Sequence, residues 1–395
     1  MKCTRPIRVL QVVDSLGMGG AETWLMEVLR LWSKSGACRM DFLVTSGNPG
    51  IFDDEARRLG AEIHYVRYGR AHLQRFTAEF RRVLREGRYD AIHDHQDYAS
   101  GWHFLMGASV LPPVRLTHVH NPWLHIEANY AVSPSRRLVT VIGKRLVYLF
   151  ATHVGGTSRQ TLLDCGFDPS RHRHPAVSVL HCGFDVGGFN APRESDRQSM
   201  LLEFEWPRDA KVVLFVGRLD LALEFDDPHN QKNSWLALNI ARVAFEKDRA
   251  VRFLMAGAGD ETRTEVERRV REWGLHEEFR LIGVRRDISR LMRAADVLLF
   301  PSTQEGLGMV AVEAQAACLP VLASTAVPRE AIVVPELYDA LSLDEPLQNW
   351  ATALLRSIAK PRLPLDVGRR ALEVSPFSIT NSARKLEAIY GSGLR

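Results

Sequence analysis

The chain has 395 residues, 46% of them hydrophobic and 25% charged, and its formal net charge is +4. This length is more than one ordinary hydrophobic core requires, so two domains are expected. No apolar run in the sequence approaches the ~18–20 residues of a membrane span. Five scattered cysteines without a CxxC pair favour neither a disulfide framework nor a zinc knuckle. Since the N-terminus passes into a short strand without a signal-peptide pattern, we expect a cytoplasmic protein.

Positive charge is concentrated in the first half of the sequence. Residues 1–190 carry 23 Lys and Arg against 17 Asp and Glu, whereas the remainder carries 28 against 30. A basic half without nucleic-acid motifs fits a membrane surface or an anionic substrate better than sequence-specific nucleic-acid binding. Ordinary solvated helix faces explain it equally well. Peripheral contact with the inner membrane face is therefore considered, and no nucleic-acid partner is expected.

Apolar runs of strand length alternate with helical patterns along the first half. The predicted strands are Ile7–Val13, Met40–Thr45, Glu62–Val66, Ala91–His93, Val114–His118 and His153–Gly156. Helical patterns between them include Ala21–Lys34 and Leu73–Arg85. Such alternation is typical of a parallel sheet flanked by helices.

The second half repeats this alternation. Its predicted strands are Lys211–Gly217, Val251–Ala256, Phe279–Ile282, Val297–Phe300 and Pro320–Ala323. Its helical patterns are Ser234–Glu246, Thr262–Trp273 and Val310–Ala317. We predict two Rossmann-like α/β domains facing across a cleft, residues 1–188 and 189–375, joined in the polar, turn-rich stretch Gly183–Asp209. The tail, about 376–395, is predicted to form a helix that returns to the first domain.

The first strand is followed by the turn DSLGMGGAET. Its Gly19 and Gly20 can bring backbone N–H groups to a phosphate at the start of a helix. The dinucleotide fingerprint is not met, because Glu22 stands where a third glycine is required. A simple tight turn explains the motif equally well.

A later strand ends in THVHNPW, which places His118 and His120 on one face. An imidazole at a strand end can contact a substrate hydroxyl or transfer a proton. His93 and His95 repeat the H-x-H pattern. No further ligand set of metal-like spacing accompanies these histidines, so no metal is predicted.

Cations and glycines follow the strands of the second half. Arg218 lies in the segment LFVGRL, directly after Gly217, and Lys232 follows in QKN. Two such cations can clamp a diphosphate, although surface charge is the alternative. AGAGDE places Gly257 and Gly259 in a turn after the next strand, and Arg285 follows the strand after that.

The most informative segment is EGLGMVAVE, in which seven residues separate Glu305 from Glu313. Two glycines precede a helix that begins near Met309, where unpaired N–H groups and the helix dipole suit a phosphate. The two carboxylates would repel phosphate but can accept hydrogen bonds from sugar hydroxyls. The segment therefore predicts a site for a ligand that joins phosphate to sugar, against the alternative of a glycine-rich turn beside a solvated glutamate.

Taken together, these motifs resemble the retaining GT-B glycosyltransferases of the EX7E type, the large GT4-like family that includes exopolysaccharide and capsule enzymes. The resemblance covers nearly the whole chain. Its motifs, in the family's order, are GMGGAE, VHN, VGGTSRQ with VLHCGFD, GRL with QKN, AGAGDE, LIGVRRDI and the segment around the paired glutamates.

The resemblance implies transfer from a nucleotide-sugar, expected to be a UDP-sugar, to a glycan or polyprenyl-linked acceptor of cell-surface polysaccharide synthesis. The residues implied in catalysis are His120 and Glu305, on the transferred sugar, and Arg218 and Lys232, on the leaving diphosphate. The residues implied in donor binding are Gly19, Gly20, Gly257, Gly259, Arg285, Gly306, Leu307, Gly308, Met309 and Glu313. Among these, Gly19 and Gly20 approach the diphosphate and the amides of 306–309 hold it; Glu313 binds the ribose and Arg285 lies near the base. No metal or other cofactor is required.

One departure concerns the spacing of the two cations. Arg218 and Lys232 are fourteen positions apart, more than is usual in the family, with an acidic insertion between them. This insertion either loops out and leaves Lys232 in place or narrows the donor pocket. The alternatives to a transferase are a GT-B sugar-nucleotide epimerase and a catalytically silent donor-binding subunit. An NAD-dependent oxidoreductase is disfavoured by the missing fingerprint.

Overall fold

A computed structural model describes residues 5–171, 174–219, 227 and 229–394. The chain divides into two compact units, a first of Met1–Asp185 with Pro376–Arg395 and a second of Val186–Ser375. The predicted boundaries lay at 188/189 and 375/376. Most of the insertion between Arg218 and Lys232 falls outside the described residues.

The first unit is built on a sheet of seven parallel strands. They are β1 (Ile7–Val13), β2 (Cys38–Val44), β3 (Ile63–Tyr65), β4 (Ala91–Asp94), β5 (Val114–Val119), β6 (His153–Gly156) and β7 (Ala176–Val179). Their order is β3-β2-β1-β4-β5-β6-β7. Because the chain order reverses between β1 and β4, the carboxyl ends of these two strands form the topological switch point, where ligands bind in doubly wound sheets.

The helices of the first unit follow the predicted amphipathic patterns and add several more. They are α1 (Gly20–Ser35), α2 (Asp53–Arg58), α3 (Leu73–Gly87), α4 (Ala99–Gly107), α5 (Trp123–Tyr130), α6 (Pro134–Phe150) and α7 (Arg159–Asp164). Helix α6 begins with the signals expected of a helix start, since the Ser133 side chain accepts a hydrogen bond from the Arg136 backbone and proline occupies the first turn. Short 3-10 turns occupy Arg70–His72 and Gly391–Leu394.

The second unit repeats the doubly wound pattern with six parallel strands. They are β8 (Lys211–Val216), β9 (Val251–Ala256), β10 (Phe279–Gly283), β11 (Val297–Phe300), β12 (Val321–Ser324) and β13 (Tyr338–Leu341). Their order, β10-β9-β8-β11-β12-β13, puts the switch point between β8 and β11. The core strands β8 and β11 are almost entirely buried, as their continuous apolar runs predict.

The helices of the second unit cover both faces of this sheet. They are α8 (Arg193–Glu203), α9 (Ser234–Lys247), α10 (Asp260–Glu272), α11 (Ile288–Ala294), α12 (Met309–Ala316), α13 (Leu347–Ile358) and α14 (Leu365–Val374). Short 3-10 turns occupy Val186–Phe189, Arg329–Ala331 and Pro335–Leu337.

The predicted turn-rich join is wrong in one respect, because α8 lies within it. The helix escaped prediction because its sequence, RESDRQSMLLE, is mostly polar and buries only Met200 and Leu201. It is held instead by ion pairs, in which Arg193 and Arg197 both contact Asp296.

The predicted return of the C-terminal helix to the first domain is confirmed. Helix α15 (Ile379–Tyr390) packs on α1. The indole of Trp24 donates to Ser382 at 2.9 Å, and the indole of Trp32 donates to Glu387 at 2.7 Å. Tyr390 at the end of the helix is fully buried. Two hydrogen bonds between α1 and α15, together with the burial of Tyr390, therefore fix the tail to the first unit.

Two strands, β7 and β13, were not predicted from the sequence. Each lies at an edge of its sheet and is only partly buried. An edge strand has a weaker apolar pattern than a central strand, which explains why both escaped prediction. Within the described residues, no helix combines the length and apolar character needed to cross a membrane.

Candidate functional site

The switch point of the second unit brings together predicted site residues that are far apart in sequence. Arg218 follows β8, and Glu305 follows β11 after a short turn. Arg218 is exposed, and its guanidinium lies 3.5 Å from the side-chain oxygen of Gln231. The adjacent carboxyl ends of these strands therefore carry a cation and a carboxylate at the position where doubly wound sheets bind ligands.

Lys232 and Glu305 form the central contact of this group. The Lys232 Nζ lies 2.6 Å from Glu305 Oε1, and the two side chains are 20% and 6% exposed. The Lys232 side chain also lies against Gly217, and its ammonium is 5.6 Å from the centre of the Phe300 ring. Lys232 thus stands beside the end of β8, although it follows Arg218 by fourteen positions.

Glycines at the end of β9 allow the backbone to pass close to the end of β8. Gly257 and Gly259 have φ angles of 155° and 138°, which disfavour residues with a side chain. A Cβ on Gly257 would overlap the carbonyl oxygen of Gly217, and one on Gly259 would crowd Leu219. Both predicted glycines are therefore required by conformation and by space.

The segment from Gly306 to Met309 leads from the buried Glu305 into helix α12. Gly308 precedes the helix with a φ of 91°, in the left-handed region. Among the described residues, the N–H groups of Leu307 and Gly308 have no hydrogen-bond acceptor. Glu313 lies on α12, one turn further on, and is half-buried. The arrangement offers N–H donors between two carboxylates, as the spacing predicts.

Further polar side chains around Glu305 were missed by the sequence analysis. The side-chain oxygens of Ser302, Gln304 and Tyr338 are buried and have no partner among the described residues. Burial, reinforced by the charge of Glu305, raises the pKa of Tyr338 well above its usual range. Buried polar atoms normally have partners, so these oxygens are candidates for contacts with a ligand. Ser302 and Gln304 could have been found from their place beside Glu305, but no sequence signal marks Tyr338.

Arg285 is occupied by other contacts. Its guanidinium donates to both carboxylate oxygens of Asp287 and to Glu203, each at 2.8 Å. The hydrogen bonding of the Arg285 guanidinium to the Asp287 carboxylate is the main cause that raises the Arg285 pKa. Arg290 contacts the same two carboxylates. The structure places Arg285 in an ion-pair network between β10, α8 and α11, and its predicted position near a base stays a prediction.

In the first unit, Gly19 and Gly20 lie at the start of α1, after β1. Gly19 immediately precedes the helix, and both glycines are exposed. The carboxylate of Glu22 lies over Gly19, in the space that a Cβ would occupy. Burial raises the Glu22 pKa. An anion that approaches Gly19 would therefore meet Glu22 first, and the predicted contact with a diphosphate stays a prediction.

His120 follows β5 and is held through its backbone by Asp97. The Asp97 carboxylate accepts hydrogen bonds from the His120 N–H and from the Asn121 side chain, both at 2.9 Å. Burial raises the Asp97 pKa to about 6, against the opposing effect of these bonds. Burial also lowers the pKa of His120 to about 4. The strand-end imidazole is therefore neutral at physiological pH.

His120 belongs to a group of four imidazoles with His93, His95 and His118. One ring nitrogen from each of the last three lies within 4.8 Å of the others, a spacing that invites a test for a metal. Both nitrogens of His95 already have hydrogen-bond partners. The ring planes of His93 and His118 differ by only 13°. Lone pairs that lie in two nearly parallel planes do not converge on one ion unless the two rings share a plane. His95 is thus committed to hydrogen bonds, whereas the Nε2 of His93 and the Nδ1 of His118 are buried without a partner among the described residues, and the predicted absence of a metal stays a prediction.

Two family models match this chain. One described as "Glycosyl transferases group 1" matches residues 210–359, and one described as "Glycosyltransferase Family 4" matches residues 18–187. The first match lies within the second unit, and the second match covers most of the first unit and ends two residues beyond Asp185.

Two bacterial relatives extend the comparison over the chain. EpsF of Bacillus subtilis, named as a glycosyltransferase, is 30% identical over 365 residues, which cover 90% of this chain and 88% of EpsF. CapH of Staphylococcus aureus, named as a capsular polysaccharide biosynthesis glycosyltransferase, is 22% identical over 398 residues and covers 98% and 99% of the two chains.

Solved structures show the same fold at low sequence identity. HepE of Anabaena, in complex with UDP and glucose, superposes with a TM-score of 0.75 at 18% identity, over 98% of this chain and 100% of HepE. WaaG, a glycosyltransferase involved in lipopolysaccharide biosynthesis, superposes with a TM-score of 0.73 at 14% identity, with the same coverage. The predicted GT-B fold is confirmed by these similarities and by the two parallel-sheet units.

Proposed function

Because this chain belongs to the glycosyltransferases of group 1 and family 4, we propose that it transfers a sugar from a UDP-sugar to a glycan or polyprenyl-linked acceptor. A role in cell-surface polysaccharide synthesis is supported by the similarity to CapH, whose name places it in capsule synthesis. A UDP-sugar donor is supported by the similarity to HepE, which was solved with UDP-glucose.

The observation that carries the proposal is the ion pair of Lys232 with the buried Glu305 at the β8/β11 switch point, followed directly by a glycine turn and a helix start. A cation and N–H donors suit a diphosphate, whereas a carboxylate suits sugar hydroxyls. When a diphosphate binds, its oxygens compete with Glu305 for the ammonium of Lys232. Glu305 can then accept hydrogen bonds from the sugar.

The remaining donor contacts follow from the order of residues along this segment. In the proposal, the N–H groups of 306–309 bind the diphosphate, and Glu313 accepts hydrogen bonds from the ribose hydroxyls. Arg218 lies at the end of the neighbouring strand β8 and adds a fixed positive charge. The glycines at 257 and 259 let the backbone of β9 approach without side chains in the way.

We propose that transfer retains the anomeric configuration. The bond between the anomeric carbon and the diphosphate oxygen breaks, and the acceptor oxygen attacks from the same face. The acceptor's proton passes to the departing diphosphate. Arg218 and Lys232 stabilise the negative charge that develops on the leaving group, so that the protein contributes positioning and electrostatics rather than a strong base. His120, neutral because burial lowers its pKa, contacts a hydroxyl of the transferred sugar.

Peripheral contact with a membrane is a further part of the proposal, and it concerns the surface formed by α5 and α6. Leu124, Leu138 and Leu149 are 69%, 60% and 72% exposed there, and Arg136 and Arg137 are exposed beside Leu138. Exposed apolar side chains next to cations suit the boundary of an anionic bilayer. Sedimentation with vesicles tests this: binding to phosphatidylglycerol but not to phosphatidylcholine vesicles, weakened by salt and by Leu138→Glu, is expected. Equal recovery with both vesicle types would contradict it.

The donor proposal is tested with the purified full chain and a panel of UDP- and GDP-sugars. A ligand that binds only the folded state stabilises it by about 2.7 kcal/mol at one hundred times its Kd. We therefore expect a UDP-sugar to raise the melting temperature and UDP to be released when a lipid-linked acceptor is added. If no nucleotide-sugar raises the melting temperature and no nucleoside diphosphate is released, the proposal fails.

Two substitutions separate donor binding from turnover. Glu313→Ala removes hydrogen bonds to a charged acceptor and should weaken donor binding ~10–100-fold. Glu336→Ala, at an exposed glutamate of the same unit, is the matched control and should leave it unchanged. His120→Ala should mainly reduce turnover. Equal donor affinity in Glu313→Ala and in the wild type would remove the ribose assignment.

A further inference from the structure

A continuous chain of hydrogen bonds runs from His120 into the core of the first unit. The Nε2 of His120 lies 2.9 Å from the Nδ1 of His95, and the Nε2 of His95 lies 2.9 Å from the Oε1 of Gln11. Gln11 donates through its Nε2 to the hydroxyl of Tyr390 at 3.2 Å. That hydroxyl lies 2.6 Å from the Nδ1 of His93. The chain thus links β5, β4 and β1 to the C-terminal helix α15.

The chemistry of Gln11 gives this chain a direction. An amide nitrogen only donates and an amide oxygen only accepts. Since Gln11 donates to Tyr390, the hydrogen of the tyrosine hydroxyl is available for His93. At its other end, the amide oxygen of Gln11 accepts, so the Nε2 of His95 must carry the hydrogen. The orientation of one amide therefore determines the protonated nitrogen of His95.

Neutral imidazoles carry this direction onward to His120. Burial, with a smaller contribution from the neighbouring imidazoles, lowers the pKa of His95 well below its usual range. A neutral His95 with hydrogen on Nε2 presents a lone pair at Nδ1, so it can only accept from the Nε2 of His120. Since His120 is neutral as well, its Nδ1 is left without a hydrogen.

We propose that Gln11, His95 and Tyr390 are positioning residues that hold His120 in the Nε2–H tautomer and present its Nδ1 as a hydrogen-bond acceptor. The ligand group that meets Nδ1 must then donate, as a sugar hydroxyl does and a phosphate oxygen or a carbonyl does not. This last step rests on the proposed function, whereas the tautomer itself does not.

Packing around this chain of hydrogen bonds restricts the imidazoles further. Trp24 meets the rings of His95 and His118 nearly edge-on, at centroid distances of 6.1 and 5.3 Å. Its indole nitrogen is itself held by Ser382 of α15. Among the described residues, the Nδ1 of His120 has no protein partner. The C-terminal helix therefore supports His120, which lies 270 positions before Tyr390 in the sequence, and leaves one nitrogen of this histidine available to a ligand.

Nitrogen-15 spectra of the full chain, labelled at histidine and recorded without ligand, test the tautomer directly. Correlations between ring protons and nitrogens distinguish the two tautomers, and the His120→Gln spectrum assigns the signals. We expect a single Nε2–H form for His120 at pH 7, unchanged down to about pH 5.5. An Nδ1–H form, or a mixture of forms, in the wild-type protein would overturn the proposal.

Substitutions along the hydrogen-bond chain separate the positioning role of these residues from a general effect on folding. Gln11→Leu should yield mixed tautomers at His120. Gln96→Leu should not, because Gln96 follows His95 in the sequence but takes no part in the hydrogen-bond chain. His95→Leu should behave like Gln11→Leu. His95→Gln should restore one form, because its amide can donate to Gln11 and accept from His120. If Gln11→Leu does not fold, Tyr390→Phe replaces it, since loss of the hydroxyl frees the Gln11 amide to rotate. An unchanged His120 spectrum in the folded Gln11 or Tyr390 variant would overturn the proposal.

Activity measured with UDP-glucose as the probe separates this inference from the proposed function. We expect Gln11→Leu to lower kcat about tenfold with little change in KM, and His95→Gln to recover most of it. A wild-type protein with the expected tautomer but no UDP release with any acceptor would contradict the proposed function alone. An effect confined to KM would contradict the positioning role.

Discussion

The ion pair between Lys232 and Glu305 makes a quantitative test of the second unit possible. The two side chains differ in burial, since the carboxylate is 6% exposed and the lysine 20%. Lys232→Met leaves a buried carboxylate without its ion-pair partner. Glu305→Gln leaves an ammonium on a flexible stem that can reach water, beside an amide that can still form hydrogen bonds. The lysine substitution should therefore be the more damaging.

The expected loss of stability follows from the distance between the two charges and from the burial of their side chains. Unit charges about 4 Å apart attract by about 4 kcal/mol at an effective dielectric constant of 20. Removal of one partner from a buried pair typically costs about 3–5 kcal/mol. We expect Lys232→Met to lower the free energy of unfolding by about 3 kcal/mol. For Glu305→Gln we expect about 1–2 kcal/mol, the range of an ordinary hydrogen bond.

Urea unfolding followed by tryptophan fluorescence measures these values, because Trp206, Trp235, Trp273 and Trp350 all lie in the second unit. Lys211→Met is the matched control. Lys211 pairs with Asp248 at the same 2.6 Å, but the side chains are 44% and 27% exposed. An exposed pair contributes roughly 0–1 kcal/mol, so this substitution should have a small effect.

The double variant completes the cycle. Residues in direct contact show coupling energies of about 0.5–3 kcal/mol, and here we expect about 2 kcal/mol. If Lys232→Met is no more destabilising than Lys211→Met, or if the effects of Lys232→Met and Glu305→Gln simply add, the argument from burial is refuted.

Three further predictions concern single positions. Gly257→Ala should destabilise the second unit by about 1–3 kcal/mol, because its Cβ would overlap a backbone oxygen. Thermal unfolding measures this change. Gly274→Ala, where the space for a Cβ is open, is the milder comparison. Gly101→Ala should likewise lower the melting temperature, since its Cβ would overlap the Gly143 carbonyl between α4 and α6; an unchanged value would contradict this packing. Because burial raises the Asp97 pKa from 3.8 to about 6, the folded state binds more protons than the unfolded state between these values. The contribution of Asp97 to stability therefore falls as pH rises through this window, by up to about 3 kcal/mol. The wild-type stability should decline relative to Asp97→Asn between pH 4 and 7, and a constant difference would contradict the assignment.

Much of the fold could be predicted because its signals are local. Strands such as Ile7–Val13 and His153–Gly156 appear in the structure with the predicted bounds. The apolar run Ile7–Val13 lies near the centre of its sheet, where burial on both faces demands continuous hydrophobic sequence. The edge strand Tyr338–Leu341 and the polar helix Arg193–Glu203 were missed because packing on one side leaves a weaker pattern.

The candidate site was predictable only in part. The glycines at 257 and 308 were visible in the sequence, and the structure shows the positive φ angles that require them. The partner of Lys232 was not predictable, since 73 positions separate it from Glu305. The buried oxygen of Tyr338 lies on a strand that the sequence did not reveal.

The amino-acid sequence by itself therefore determined the two doubly wound units, the glycine turns and the order of the motifs, because hydrophobic period and turn chemistry act between near neighbours. Only the tertiary structure decided which side chains meet at the strand ends. It paired Lys232 with Glu305, and it joined His93 to Tyr390 across 297 positions. Contacts of this kind depend on how strands and helices pack, and no local pattern specifies them.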